Sequence, residues 1–110
     1  MSNDENPLET VSVITEFNDL TDFMQDPQLD RALDLAIKCI ANPDVAATKA
    51  PRLIVELQAI SFKFAVKAVE YATLKKDRAG TDNNHRKNIY YSTKEALDRL
   101  VDALKYAARN

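Results

Sequence analysis

The chain has 110 residues and a mass of 12.4 kDa, enough for one hydrophobic core and short for two. Hydrophobic residues make up 45% and charged residues 29%, a balance that excludes a disordered chain, and no stretch approaches the ~18 apolar residues of a membrane span. The formal charge of −2 conceals a division: residues 1–50 carry three Lys and Arg against ten Asp and Glu, whereas residues 51–110 carry twelve against seven.

One glycine and four prolines, with Pro27, Pro43 and Pro51 placed where helices can begin, favour helices over strands joined by tight hairpins. The expected fold is all-α: an antiparallel hairpin of two long helices with one or two shorter amino-terminal helices, packed as a small bundle. Residues 1–10 are polar and read as a flexible tail, with residues 11–110 as a single helical domain.

In chain order, Val11 to Thr15 alternate weakly, which leaves strand or helix open for 11–15. Phe17, Leu20, Phe23 and Met24 recur at three and four residues and predict a short helix over about 12–24. Asp26 before Pro27 supplies a cap and a first-turn proline for a helix over about 27–41. Its apolar stripe is Leu29, Leu33, Ala36, Ile37 and Ile40, and Asn42-Pro43 ends it. Pro43 to Ala50 reads as a linker or a single turn.

Pro51 then opens a helix that nothing breaks before Arg78. It carries two apolar stripes: Leu53, Leu57, Ile60, Phe64, Ala68 and Tyr71 on one side, and Val55, Ala59, Phe62, Val66 and Val69 on the other. An ordinary surface helix buries one stripe, so this one requires covering on two sides. Ala79 to Asn84, with Gly80, is the expected loop, and His85 is expected to be exposed beside it. The last helix spans about 86–108 on the spacing of Ile89, Thr93, Leu97, Leu100, Leu104 and Ala108, although Ser92 and Glu95 form a capping pattern that offers a competing start. A short loop between two long helices makes them antiparallel neighbours, giving a hairpin over about 51–109.

The chemistry of metal sites, phosphate loops and catalytic triads finds no support. There is one cysteine, one histidine and one glycine, too few for a ligand cluster or a phosphate cradle. Cys39 reads as a buried thiol acting as a small apolar residue. No enzyme activity, cofactor or metal is expected. The acidic amino terminus lacks the basic-then-apolar pattern of a secretory signal, so the expected location is the cytoplasm.

Three surfaces are candidates for binding. Phe62, Val66 and Val69 form a self-association surface suited to a homodimer or higher oligomer. The basic hairpin tip, Lys75, Lys76, Arg78, Arg86, Lys87, Tyr90 and Lys94, could meet an acidic partner, single-stranded nucleic acid, or the protein's own acidic half. Glu16, Asp19, Asp22, Asp26, Asp30 and Asp34 form an acidic face that could engage another protein. The primary expectation is a self-associating structural or adaptor protein with a protein partner and no membrane; a nucleic-acid accessory role is the alternative.

The stretch Arg86-Lys87-Asn88-Ile89-Tyr90-Tyr91, followed by Leu97, Leu100, Val101, Leu104, Lys105 and Tyr106, resembles the helical hairpins of small accessory proteins of tailed bacteriophages. The resemblance covers about 51–109. It implies a role in recombination, replication, packaging or assembly inside a bacterial host, and transfers no specific site.

Overall fold

The computed structural model describes residues 7–20, 27–73 and 82–109, which form four α-helices: α1 (Pro7–Leu20), α2 (Pro27–Ala41), α3 (Pro43–Thr73) and α4 (Asp82–Arg109). Asn42 is the one described residue outside a helix. The fold is an all-α bundle, as the glycine-poor sequence predicts.

α1 begins earlier than the spacing predicts, at Pro7, inside the segment read as a tail. Proline fits the first helical turn because its missing N–H has no intrahelical role there. The helical phase then places Val11 and Ile14 three residues apart in the core, while Ser12 and Val13 face outward. Residues 11–15 are therefore helical. Phe23 and Met24, in the second half of the expected helix, lie outside the described residues.

α2 has the expected bounds, but its buried arc is Leu29, Ala32, Leu33, Ala36 and Cys39. Ile37, assigned to the stripe from sequence, is exposed; each residue advances about 100° around a helix, which carries position 37 off the arc set by 33 and 36. Asn42 does end α2, and it also starts α3. Its side-chain Oδ1 accepts a hydrogen bond from the Asp44 amide at 3.0 Å, the geometry of an N-cap, with Pro43 at the first helical position.

The segment from Pro43 to Ala50 is thus a helix and not a linker. Ala46 and Ala50 are buried in line with Leu53 and Leu57, so packing recruits the extra turns. Pro51 lies inside α3 and does not open it. Its absent N–H deprives the Ala47 carbonyl of its usual partner, but both residues are exposed, which lets water take that role. The expected end of this helix at Arg78, and Gly80, fall outside the described residues.

α4 begins at Asp82, so Asp82, Asn83 and Asn84 belong to the helix and not to the expected loop, and His85 is exposed on its first turns. It passes through Ser92 unbroken, against the competing start at that residue. Ser92 is exposed, whereas Thr93 is fully buried and donates its hydroxyl hydrogen to the Ile89 carbonyl at 2.8 Å. This back-bond satisfies the hydroxyl within its own helix.

α3 and α4 run antiparallel. Rising positions in α3 meet falling positions in α4: Ser61 meets Asp98, Phe64 meets Tyr90, and Tyr71 meets Arg86. α2 folds back along the first half of α3, with Gln28 Nε2 donating to Glu56 Oε2 at 3.0 Å. α1 packs on α4 and α2 and makes no contact with α3 among the described residues. One core joins the four helices, centred on Ile14, Leu29, Leu33, Leu53, Leu57, Leu97, Leu100 and Leu104. α3 has 31 residues and a length of about 46 Å, so it nearly spans the 51 Å long axis of the molecule. No helix among the described residues is long and apolar enough to cross a membrane.

Candidate interaction surface

α3 has two apolar sides because two periodicities are superimposed on it. Leu53, Leu57, Ile60, Phe64 and Ala68 point into the core. The second stripe points the other way: Val55 is 66% exposed, Phe62 71%, Val66 40% and Val69 62%. Since α1 packs elsewhere and α2 lies on the buried side, no described helix covers this stripe. The three self-association residues named from sequence, Phe62, Val66 and Val69, are brought together, and Val55 and Ala59 extend them.

Beside the stripe, a cleft of about 400 Å³ runs between α3 and α4. Ala65, Ala68, Val69 and Ala72 form its α3 wall, and Lys87, Asn88, Tyr91 and Lys94 its α4 wall. Three of the four α3 residues lining the cleft are alanines, whose side chains end short of the opposite helix. Sequence reasoning missed it; the signal was the seven-residue spacing of Ala65 and Ala72, legible only once the position of α4 is known.

The described residues of the hairpin tip are largely engaged within the molecule. Tyr90 is only 5% exposed and is not a surface residue. Its ring stacks on Tyr71 with centroids 5.8 Å apart and planes 10° from parallel, and it meets Phe64 at 5.5 Å. Burial raises its phenol above the ordinary range, with the Tyr71 ring hydroxyl adding to the effect and Arg86 opposing it. The Arg86 guanidinium lies 5.7 Å from the Tyr71 ring centroid, a cation–π distance.

Lys94 Nζ contacts Asp98 Oδ2 at 2.9 Å, and that hydrogen bond holds the ammonium above its usual pKa. The other oxygen of Asp98 accepts the hydroxyl hydrogen of buried Ser61 at 2.7 Å. Ser61, Lys94 and Asp98 therefore form a polar clasp between α3 and α4. Lys87 is half-buried on the cleft, and Lys75, Lys76 and Arg78 lie outside the described residues.

On the acidic face, Glu16, Asp30 and Asp34 are exposed. Asp22, Asp26 and the side chain of Asp19 lie outside the described residues. The charges that are described belong to two helices, α1 and α2. Cys39 is buried, as its apolar neighbours predict, and burial pushes its thiol pKa up, with Lys49 opposing.

Compared with known proteins, the chain matches no family model, no curated protein and no solved structure.

Proposed function

We propose that this chain is a non-enzymatic, self-associating structural or adaptor protein that works through macromolecular interfaces, with the outer face of α3 as its principal contact. The observation that carries this reading is the exposed stripe of Val55, Phe62, Val66 and Val69 along the longest helix. Single exposed apolar residues are ordinary on a protein surface, but a continuous row on one helix is a feature of binding faces. The adjoining alanine-walled cleft enlarges the same face.

The alternative, a nucleic-acid accessory protein using the hairpin tip, has less support. Stacking on bases needs exposed rings, and Tyr90 is buried while Arg86 covers Tyr71. Exposed Tyr91 is on the cleft, next to the apolar stripe.

The test is solution mass across a concentration series for the intact chain and for Phe62→Glu. The intact chain is expected to be a dimer or larger at high concentration. Phe62→Glu is expected to be a monomer with an unchanged helical signal, since position 62 contributes nothing to the core. A monomeric intact chain at the highest concentration reached would sink the proposal.

A further inference from the structure

The exposed stripe has the spacing of a coiled-coil seam. Arg52, Val55, Ala59, Phe62, Val66, Val69 and Thr73 alternate three and four residues apart, and all are exposed. Over about six turns this spacing presents one slowly winding seam to a second helix. Its two flanks differ. Glu56, Lys63 and Glu70 follow the seam at seven-residue intervals on one side, with alternating charge, whereas Gln58, Ala65 and Ala72 line the other without charge.

Resting on the self-association reading above, we propose that the partner of this face is a second copy of the chain, laid antiparallel on α3 with the twofold axis passing between Ile60 and Ser61. A parallel pair sets the charged flank of each helix against the uncharged flank of the other, so the alternating charges meet no opposite charge across the interface. An antiparallel pair sets charged flank against charged flank, and the alternation then selects the register.

With the axis between Ile60 and Ser61, Glu56 meets the partner's Lys63 and Lys63 meets the partner's Glu56. Arg52 lies level with the partner's Glu70. The seam agrees independently. Phe62, the largest apolar side chain on it, falls over the partner's Ala59, the smallest, and Val55 falls over the partner's Val66. Large against small is the arrangement that fills an interface without voids.

Shifting the axis to Phe64 sets Lys63 against itself and Glu56 against the partner's Glu70. Shifting it to Leu57 sets Glu56 against itself and brings Arg52 under Phe62. Moving it beyond Lys67 pairs Lys63 with Glu70 but sets Val55 and Ala59 past Thr73, the last described residue of the partner's α3. The chosen register overlaps Arg52 to Val69, about 26 Å of helix. Gln28 occupies Oε2 of Glu56, and a carboxylate has acceptor sites remaining on its other oxygen. Such edge charges act mainly on register and specificity, and the apolar seam supplies most of the attraction.

Two measurements test this on the full chain. Val55→Cys and Val66→Cys proteins are mixed and oxidised gently, with the unsubstituted chain as a control for buried Cys39. The antiparallel register sets position 55 level with the partner's position 66 and holds each about 16 Å from its own copy along the axis, far beyond disulfide reach. The expected product is the mixed disulfide, with little of either self-disulfide.

Predominant self-disulfides would overturn the orientation while leaving self-association standing. A dimeric mass with no disulfide of any kind would place the contact elsewhere and overturn the register. A monomeric mass would remove both this inference and the reading it rests on. In the second measurement, Glu56→Lys and Lys63→Glu each raise the dimer dissociation constant about tenfold, and the double reversal returns it to within about threefold. Failure of the double reversal to restore association overturns the proposed pairing.

Discussion

Ser61 and Thr93 are the two buried polar residues of the core among those described, and each is satisfied differently. Thr93 bonds within its own helix, so its hydroxyl ties no elements together. Ser61 crosses to Asp98 on α4, which also holds Lys94. Ser61→Ala is therefore expected to lower unfolding free energy by about 1 kcal/mol in chemical denaturation, the usual net value of one intramolecular hydrogen bond; no change would mean that the clasp is not formed in solution. The titrating groups lead to a pH prediction. Cys39 and Tyr90 both have pKa values raised by burial, so the folded chain keeps protons that the unfolded chain releases. Their contribution is intact below the ordinary thiol and phenol values, about 8.5 and 10, and is lost as pH rises above them. Lys94, raised by Asp98, loses its stabilising charge in the same direction. Urea midpoints are expected to fall between pH 8.5 and 11, and a thiol reagent at neutral pH should modify Cys39 only after unfolding.

At the scale of the element, the most informative helix is α3, where local rules and packing disagree. Proline is the strongest local helix breaker, and Pro51 read as a start; yet the helix begins eight residues earlier, at Pro43. Two contributions offset the break. Asn42 caps the first turn, and Ala46 and Ala50 enter the core alongside Leu53. Pro51→Ala should therefore stabilise the protein, by up to about 3 kcal/mol from restored helix geometry less the loss of proline's restriction of the unfolded chain. Thermal denaturation checks the sign: a lower melting temperature would show that the ring has a packing role. α4 illustrates the converse case, in which local and long-range signals compete and the longer pattern prevails. The capping pattern at Ser92 is overridden because Ile89, Thr93, Leu97, Leu100 and Leu104 keep one phase through it, and four of these five are fully or nearly fully buried, with Ile89 packed at the core edge.

At the scale of the whole molecule, the arrangement of α1 is decisive. By packing on α4 and α2, it leaves the outer face of α3, with Val55, Phe62, Val66 and Val69, uncovered among the described residues. Burial of that face between copies stabilises only the associated form, which ties folding stability to protein concentration. The melting temperature of the intact chain is expected to rise with concentration, and that of Phe62→Glu to stay constant; a constant value for both would argue against association on this face.

The helical class, the bounds of α2, the core stripe of α3 and the phase of α4 were legible in the sequence, because each depends on periodicity within one segment and on scarce glycine. The exposed stripe was legible as a second apolar row at 55, 59, 62, 66 and 69. The sequence also pointed to Phe62, Val66 and Val69 as the outward surface, and they are exposed; what it could not show was how the other helices lie against α3, and only the placement of α1 and α2 leaves that row uncovered among the described residues. The same holds at the hairpin tip, where Tyr90 and Tyr91 are adjacent in sequence and alike in chemistry. One is buried against Phe64 and Tyr71 and the other is exposed on the cleft, because a helix turns about 100° per residue and α3 lies on only one side of it.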